Sequence, residues 1–483
     1  MAEPDVLLQE LPGPGRRLAP REDPPHVRLG PALGHEERRQ ATLTLAGAFL
    51  GLAMLGLAGS VLQSGGDLVL GAPVIESAGA SVFRQLVIPE RPALTVAVAP
   101  TTTVAPTTTT TSTTTSTTTT STTTTSTTTT VPVAERALTR IDNVFGNIAP
   151  KSVTATGTGL FFAQNMMYRH TVTVYDEQGA LLSTIDDRVD LADFGIEDGV
   201  VARGAPVEAA PTSDGSQVYV SNYAMYGPGF GPEPDDSCND TGWDNSYLYR
   251  VDSGSLEIDQ VIEVGAVPKF LDVTPDDRLI VVANWCSFDV SIVDTALGVE
   301  VSRIDIGRHP RGIAISSDSS TAYVTEQGGD RVAVIDLDEI RPPATYGVIS
   351  PAALDWGADV EVDWIEDVGL RPRSLVLSPD DRYLYATLNG GGEVVKVDLS
   401  TNEVVSSVET GDAPRSMAIS SDGEALYIVN YDSNTMSKVL TETMEEVQEL
   451  PTAEKPIGIT VDPLTSNVWV SAYSGVLEIY EDQ

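Results

Sequence analysis

An all-β ring of seven four-stranded blades is the fold class this sequence predicts, and three observations predict it. One unit of about 42 residues recurs seven times. Each copy reads as short strands separated by turn residues, and the strand missing from the last copy stands ahead of the first.

The repeat begins at Pro150. PRGIAISSDSSTAYVTEQGGDRVAVIDL (310–337) matches PRSLVLSPDDRYLYATLNGGGEVVKVDL (372–399) and PRSMAISSDGEALYIVNYDSNTMSKVL (414–440). PKFLDVTPDDRLIVVANWCSFDVSIVD (268–294) and PVEAAPTSDGSQVYVSN (206–222) follow the same pattern. The outer copies are PKSVTATGTGLFFAQNMMYRHTVTVYD (150–176) and PIGITVDPLTSNVWVSAYSGVLEIYED (456–482). Their leading prolines fall at 150, 206, 268, 310, 372, 414 and 456. Three spacings are 42 residues; the others, 56, 62 and 62, are read as insertions into the same unit. Ser-Asp-Gly and Pro-Asp-Asp between apolar runs are hairpin signals, because these residues suit turn dihedrals. A single four-stranded sheet cannot bury both faces, so the units must stack around an axis. The seventh copy stops after its third strand, and RALTRIDNV (136–144) is expected to complete it and lock the ring.

Ahead of this domain (136–483) lie four segments. Residues 1–40, rich in Pro, Arg and Glu without apolar periodicity, read as a disordered cytoplasmic tail. Ala41 to Leu62 carries no charge in 22 residues and is long enough to span a bilayer. Arg38 and Arg39 precede it, so the positive-inside rule places the N-terminus in the cytoplasm and the propeller outside. A cleaved signal peptide is the rival reading; the segment is long for one and lacks a small-x-small cleavage site. Residues 63–100 form a spacer. Residues 101–135 are a Thr/Ser/Pro-rich stalk that cannot bury a core, whether it is O-glycosylated or a bare linker.

Charge narrows the partners. Residues 131–483 hold 59 acidic against 21 basic side chains, which disfavours general nucleic-acid binding and suits a solubilising surface. The two cysteines form no CxxC or CxxCH, so zinc, redox or c-type haem motifs have no support, and no cofactor or metal is expected. Cys238 and Cys286 fall in the same turn of adjacent blades, outside the membrane, and are expected to form a disulfide.

Three sets of residues map to the face formed by the loops entering first strands and joining second to third strands. Directly after leading prolines come Lys151, Lys269, Arg311, Arg373 and Arg415, with Val207 and Ile457 at the other two positions. They suit a carboxylate, phosphate or sulfated group, or else pair with neighbouring blades. Asn165, Asn222, Asn284 and Asn430 are candidates for a ligand or for capping of local backbone. Tyr168, Tyr223, Tyr226, Trp285, Tyr431 and Tyr473, with Trp243 on the loop 227–246, suit a sugar, a nucleobase or an aromatic ligand, or simple rim packing. Asp235, Asp236, Asp240 and Asp244 of that loop lack EF-hand spacing and read as a solvated lid.

Second strands carry Tyr219-Val220-Ser221-Asn222, Tyr323-Val324-Thr325-Glu326 and Tyr427-Ile428-Val429-Asn430. This resembles the YVTN-repeat (YncE-like) seven-bladed β-propeller family over residues 136–483, with departures at Leu388, Ala472 and FAQN (162–165). The resemblance implies a surface or periplasmic binding protein, and at least one such type engages nucleic acid. Related propellers include lactonases, so a hydrolase is the alternative, with Glu208, Glu326 and His309 as acid–base groups. With no HExxH or GxSxG, no catalytic residue is assigned. The expectation is a monomeric, membrane-anchored binding or scaffolding module, taking an anionic small molecule, a glycan or a cell-envelope polymer at the channel mouth.

Overall fold

The computed structural model describes residues 131–483 except 197–198, 234–235, 240–241 and 341–359. The expected tail, membrane helix and spacer, and the stalk up to residue 130, lie outside the described residues. Among the described residues no helix is long and apolar enough to cross a membrane.

Seven four-stranded antiparallel sheets make the domain. Blade three shows the pattern: Pro268–Val273 innermost, then Leu279–Asn284, Asp289–Asp294 and Val299–Asp305. Its second strand, LIVVAN, is buried at all six positions because both faces of a blade pack on neighbours. Outer strands show the opposite: EVVSSVE (Glu403–Glu409) has no fully buried residue. Cores therefore lie between blades. Val281 and Ile292 of blade three cluster with Ile313, Val324 and Ile335 of blade four, and Phe161 of blade one stacks on Trp469 of blade seven at 4.0 Å.

The turn after the first strand repeats one device in blades two to six. Thr212, Thr274, Ser316, Ser378 and Ser420 donate their hydroxyls to Asp214, Asp276, Asp318, Asp380 and Asp422, each two residues on, at 2.6–2.8 Å. This bond is what the Ser-x-Asp spelling encodes. The next residue sits at positive φ, where Gly215 and Gly423 fit without strain.

The three long spacings differ in kind. The 56-residue one is filled between blades, not within one, by a hairpin of Arg188–Asp190 and Val201–Arg203 around a short 3-10 turn, Leu191–Phe194. The second lies between the second and third strands of blade two, and the third between the third and fourth strands of blade four.

Closure follows the expected route. Leu138–Phe145 pairs antiparallel with Val476–Asp482 and becomes the outer strand of blade seven. A clasp backs it: Lys438, fully buried on blade six, donates to Asp482 Oδ1 (2.7 Å) and to the carbonyls of Val133 and Arg136. The Tyr427 hydroxyl donates to Asp482 Oδ2 at 2.6 Å, and Arg136 pairs with Asp422 at 2.8 Å.

Candidate functional site

The repeat places two rings of side chains around one end of the channel. The first ring is the residue after each leading proline. The second is the residue after each second strand: Met166, Tyr223, Trp285, Gln327, Asn389, Tyr431 and Tyr473. In six blades the backbone N–H of this second residue donates to the carbonyl of the residue before the leading proline, for example Trp285 to Val267 and Tyr473 to Lys455. That bond holds the two rings in register. Val267, His309, Arg371, Ala413 and Lys455 accept it at φ of 54–60°, an uncommon setting for side-chain-bearing residues.

Between the rings lies a cavity of about 220 Å³, lined by Lys151, Lys269, Arg311, Arg371, Arg373 and Arg415 together with most of the second ring. An outer chamber of about 550 Å³ shares Met166, Tyr223, Asp236 and Tyr473 with it and adds Met167, Tyr168, Glu233 and Tyr431. A further space of about 510 Å³ runs along the inner strands, where desolvation pushes the carboxyl of the partly buried Asp272 up to about 7.

The cations are not equivalent. Lys151 Nζ and Arg311 Nη2 both donate to Glu208 Oε1, at 3.0 and 2.9 Å. Burial would raise Glu208, but Lys151 and Arg311 outweigh it and hold the carboxyl below its ordinary value. Lys269 donates to Asp236 Oδ1 at 2.5 Å, lies over the Trp285 ring at 4.3 Å, and Tyr223 donates to the same carboxylate at 3.0 Å. Arg373 is 8% exposed; its Nε donates to the Arg415 carbonyl at 3.1 Å and its Nη1 to Gln327 Oε1 at 3.4 Å. Arg415 stacks on Tyr431 with Cζ 3.7 Å from the ring centroid, and its buried Nε has no acceptor. Among the described residues neither Arg373 nor Arg415 meets a carboxylate.

Electrostatics follow that division. Burial pushes Lys151 down to about 7, opposed by Glu208 and aided by Arg311 and Arg373. It pushes Lys269 down to about 8, opposed by Asp236 and again aided by Arg311 and Arg373. Burial and the facing Arg311 and Arg415 press Arg373 well below ordinary arginine, and Glu208 opposes them only in part. A guanidinium does not release its proton in a protein, so that pressure remains as positive charge that is only partly offset.

The asparagines lie elsewhere. Asn165, Asn222, Asn284 and Asn430 are fully buried within their blades and donate to Thr173, the Tyr247 carbonyl, Ser291 and Ser437 at 2.8–3.0 Å. None lines the cavity or chamber, and three of the four bonds go to third-strand hydroxyls and not to local backbone. Of the aromatic set, Tyr223, Trp285, Tyr431, Tyr473 and Tyr168 line these spaces, whereas Tyr226 packs its edge on His170, and Trp243 packs on the cluster around the cysteines. Asp235 and Asp240 lie outside the described residues; Asp244 accepts from the Gly231 N–H. Among the described residues no group of three or more potential metal ligands gathers. The groups weighed for hydrolysis have other engagements: Glu208 as above, Glu326 with Arg331 at 2.6 Å, and His309 stacked on Trp285 at 4.2 Å.

Cys238 and Cys286 are bonded, with Cα atoms 5.2 Å apart. The bond ties the blade-two insertion to blade three, and Trp285 Nε1 donates to the Asp236 carbonyl at 2.9 Å beside it. Arg371, Gln327, Asn389 and Met166 line the cavity although sequence reasoning passed over them. The signal was available for three of these, since Met166, Gln327 and Asn389 occupy the second-ring register.

Comparison with known proteins agrees on architecture. The cytochrome D1 haem domain family matches residues 362–473. The seven-bladed β-propeller protein Rv1057 of Mycobacterium tuberculosis is 32% identical over 147 residues, 25% of this chain and 37% of that protein. Antigen Lp49 of Leptospira interrogans is 25% identical over 191 residues, 31% of this chain and 42% of that protein. The chain thus spans less than half the length of these curated relatives. The WD40 β-propeller domain of Doa1 superposes with a TM-score of 0.52 at 10% identity, covering 72% of this chain and 97% of that domain. With seven four-stranded blades closed by an N-terminal strand, this chain is a seven-bladed β-propeller.

Proposed function

We propose that this chain is a membrane-anchored, extracytoplasmic propeller of the YVTN type that binds an anionic ligand at its channel mouth. The observation that carries the reading is Arg373 and Arg415, set into the cavity wall with no carboxylate among the described residues. A buried charge without a directly paired counter-ion is costly, and a bound anion lowers that cost. Six cations against Glu208 and Asp236 leave the cavity positive on a domain that is otherwise strongly acidic. The matched family is named for a haem domain, yet neither His170 nor His309 lines the cavity, and the cysteines are bonded to each other. That residue set does not fit haem with histidine or thiolate ligation.

The test is Arg373→Gln with Arg415→Gln, titrated with inorganic phosphate and acetate by calorimetry. The expected outcome is a loss of affinity of about 100-fold or more with the melting temperature held or raised, since like charges are removed. A variant that binds as the parent does, or that unfolds, overturns the reading.

A further inference from the structure

The cationic cavity does not stand alone: it opens into a chamber of different chemistry, and the pair describes a ligand in two parts. We propose that the ligand is a small molecule with one compact anionic head, a carboxylate or phosphate monoester, attached to a flat, uncharged ring. This rests on the anion-binding reading above and specifies what that anion is attached to.

The head is defined by Arg415. Its guanidinium carbon lies 3.7 Å from the Tyr431 ring centroid and its buried Nε has no acceptor, a setting in which the planar guanidinium offers N–H groups to an anion. Arg373 is tied back to the Arg415 carbonyl, which couples the two positions.

The body is defined by the chamber. Tyr431 and Tyr473 meet edge to face at 6.1 Å and form one wall next to Arg415. Met166 lines both spaces, and Tyr168 brings its ring to the chamber from a backbone at φ 65° while remaining 85% exposed. A tyrosine so exposed and so held serves no core, but it extends a stacking surface outward from the cation site.

Charge at the rim rules on size. Glu233 borders the same chamber, and Asp236 lines chamber and cavity alike with its charge taken up by Lys269. An extended polyanion threading inward would pass these carboxylates and then the acidic surface of the domain, and would be repelled at both. A single head carried by a neutral ring escapes that penalty. It places its charge on Arg373 and Arg415, and only its uncharged part beside the acidic rim.

The experiment is a calorimetric titration of the parent protein with acetate, benzoate, cyclohexanecarboxylate, inorganic phosphate, phenyl phosphate and a heparin oligosaccharide. Benzoate and phenyl phosphate are expected to bind at least about tenfold tighter than acetate and phosphate, and benzoate tighter than cyclohexanecarboxylate. Tyr168→Ala, an exposed change that leaves the core intact, and Tyr473→Leu should each bring the benzoate-to-acetate ratio toward one. Equal binding of acetate and benzoate, both lost in Arg373→Gln with Arg415→Gln, overturns the ring while the anion site stands. Tighter binding of the heparin oligosaccharide than of any monoanion overturns the inference in favour of a polymer. Binding of none of the six overturns this inference and the anion reading together.

Discussion

Lys151 and Lys269 show how one register position takes on different chemistry from blade to blade. Both follow a leading proline, yet burial lowers one to about 7 and the other to about 8, against Glu208 and Asp236 respectively. The sign of the consequence is fixed. A lysine lowered in the folded state holds its proton less tightly there than in the unfolded chain, so these groups oppose folding as pH falls from about 10 toward 7. A bound anion reverses that, because it favours both ammonium forms. Affinity for acetate should therefore rise as pH is lowered from 9 to 6.5, with net proton uptake visible as a dependence of the heat on buffer ionisation enthalpy. A flat profile would show that neither lysine faces the anion. The cations themselves were legible in the sequence as a periodic Lys/Arg after proline. That Arg373 and Arg415 lack a carboxylate partner among the described residues was not, because the candidates for that partner sit on other blades.

Among the elements, the N-terminal strand and the blade-six clasp carry the closure of the ring. Leu138–Phe145 supplies the only partner to the outer edge of Val476–Asp482 among the described strands, and Lys438 ties residues 133 and 136 to Asp482 from beneath. Starting the chain at Asn147 exposes that edge and removes the two carbonyls that Lys438 donates to, so sharp destabilisation or edge-to-edge association is expected in melting and sedimentation. Lys438→Met should cost about 3 kcal/mol in denaturant unfolding, since it leaves the buried Asp482 carboxylate with only the longer Arg136 contact at 3.9 Å as its cation. A truncated chain melting with the parent would refute this closure. The closing strand was legible because its spacing from Pro150 matches that of a fourth strand from the next proline. The hairpin between blades one and two was not, since length alone does not say where in a repeat an insertion falls.

At the scale of the whole molecule, the proposed arrangement lifts an acidic propeller away from the membrane on residues 101–135. Protease added to intact cells is expected to release a soluble fragment beginning beyond the stalk, and protection until the membrane is permeabilised would reverse the orientation. The disulfide was legible at this scale too, because adjacent blades bring equivalent turns together, and closing its 48-residue separation restricts the unfolded chain by about 4 kcal/mol in the loop-entropy account. Blade number, strand count, ring closure and the cystine are all determined by the sequence alone, since each is a consequence of local turn chemistry repeated at fixed spacing. Which asparagines turn inward, which cations find carboxylates, and the joining of a charged cavity to a tyrosine-lined chamber were decided only by the tertiary structure. The last two are relations between residues on different blades, which no period within one repeat records, whereas the asparagines answer to packing inside a blade, where their hydroxyl partners lie on the next strand.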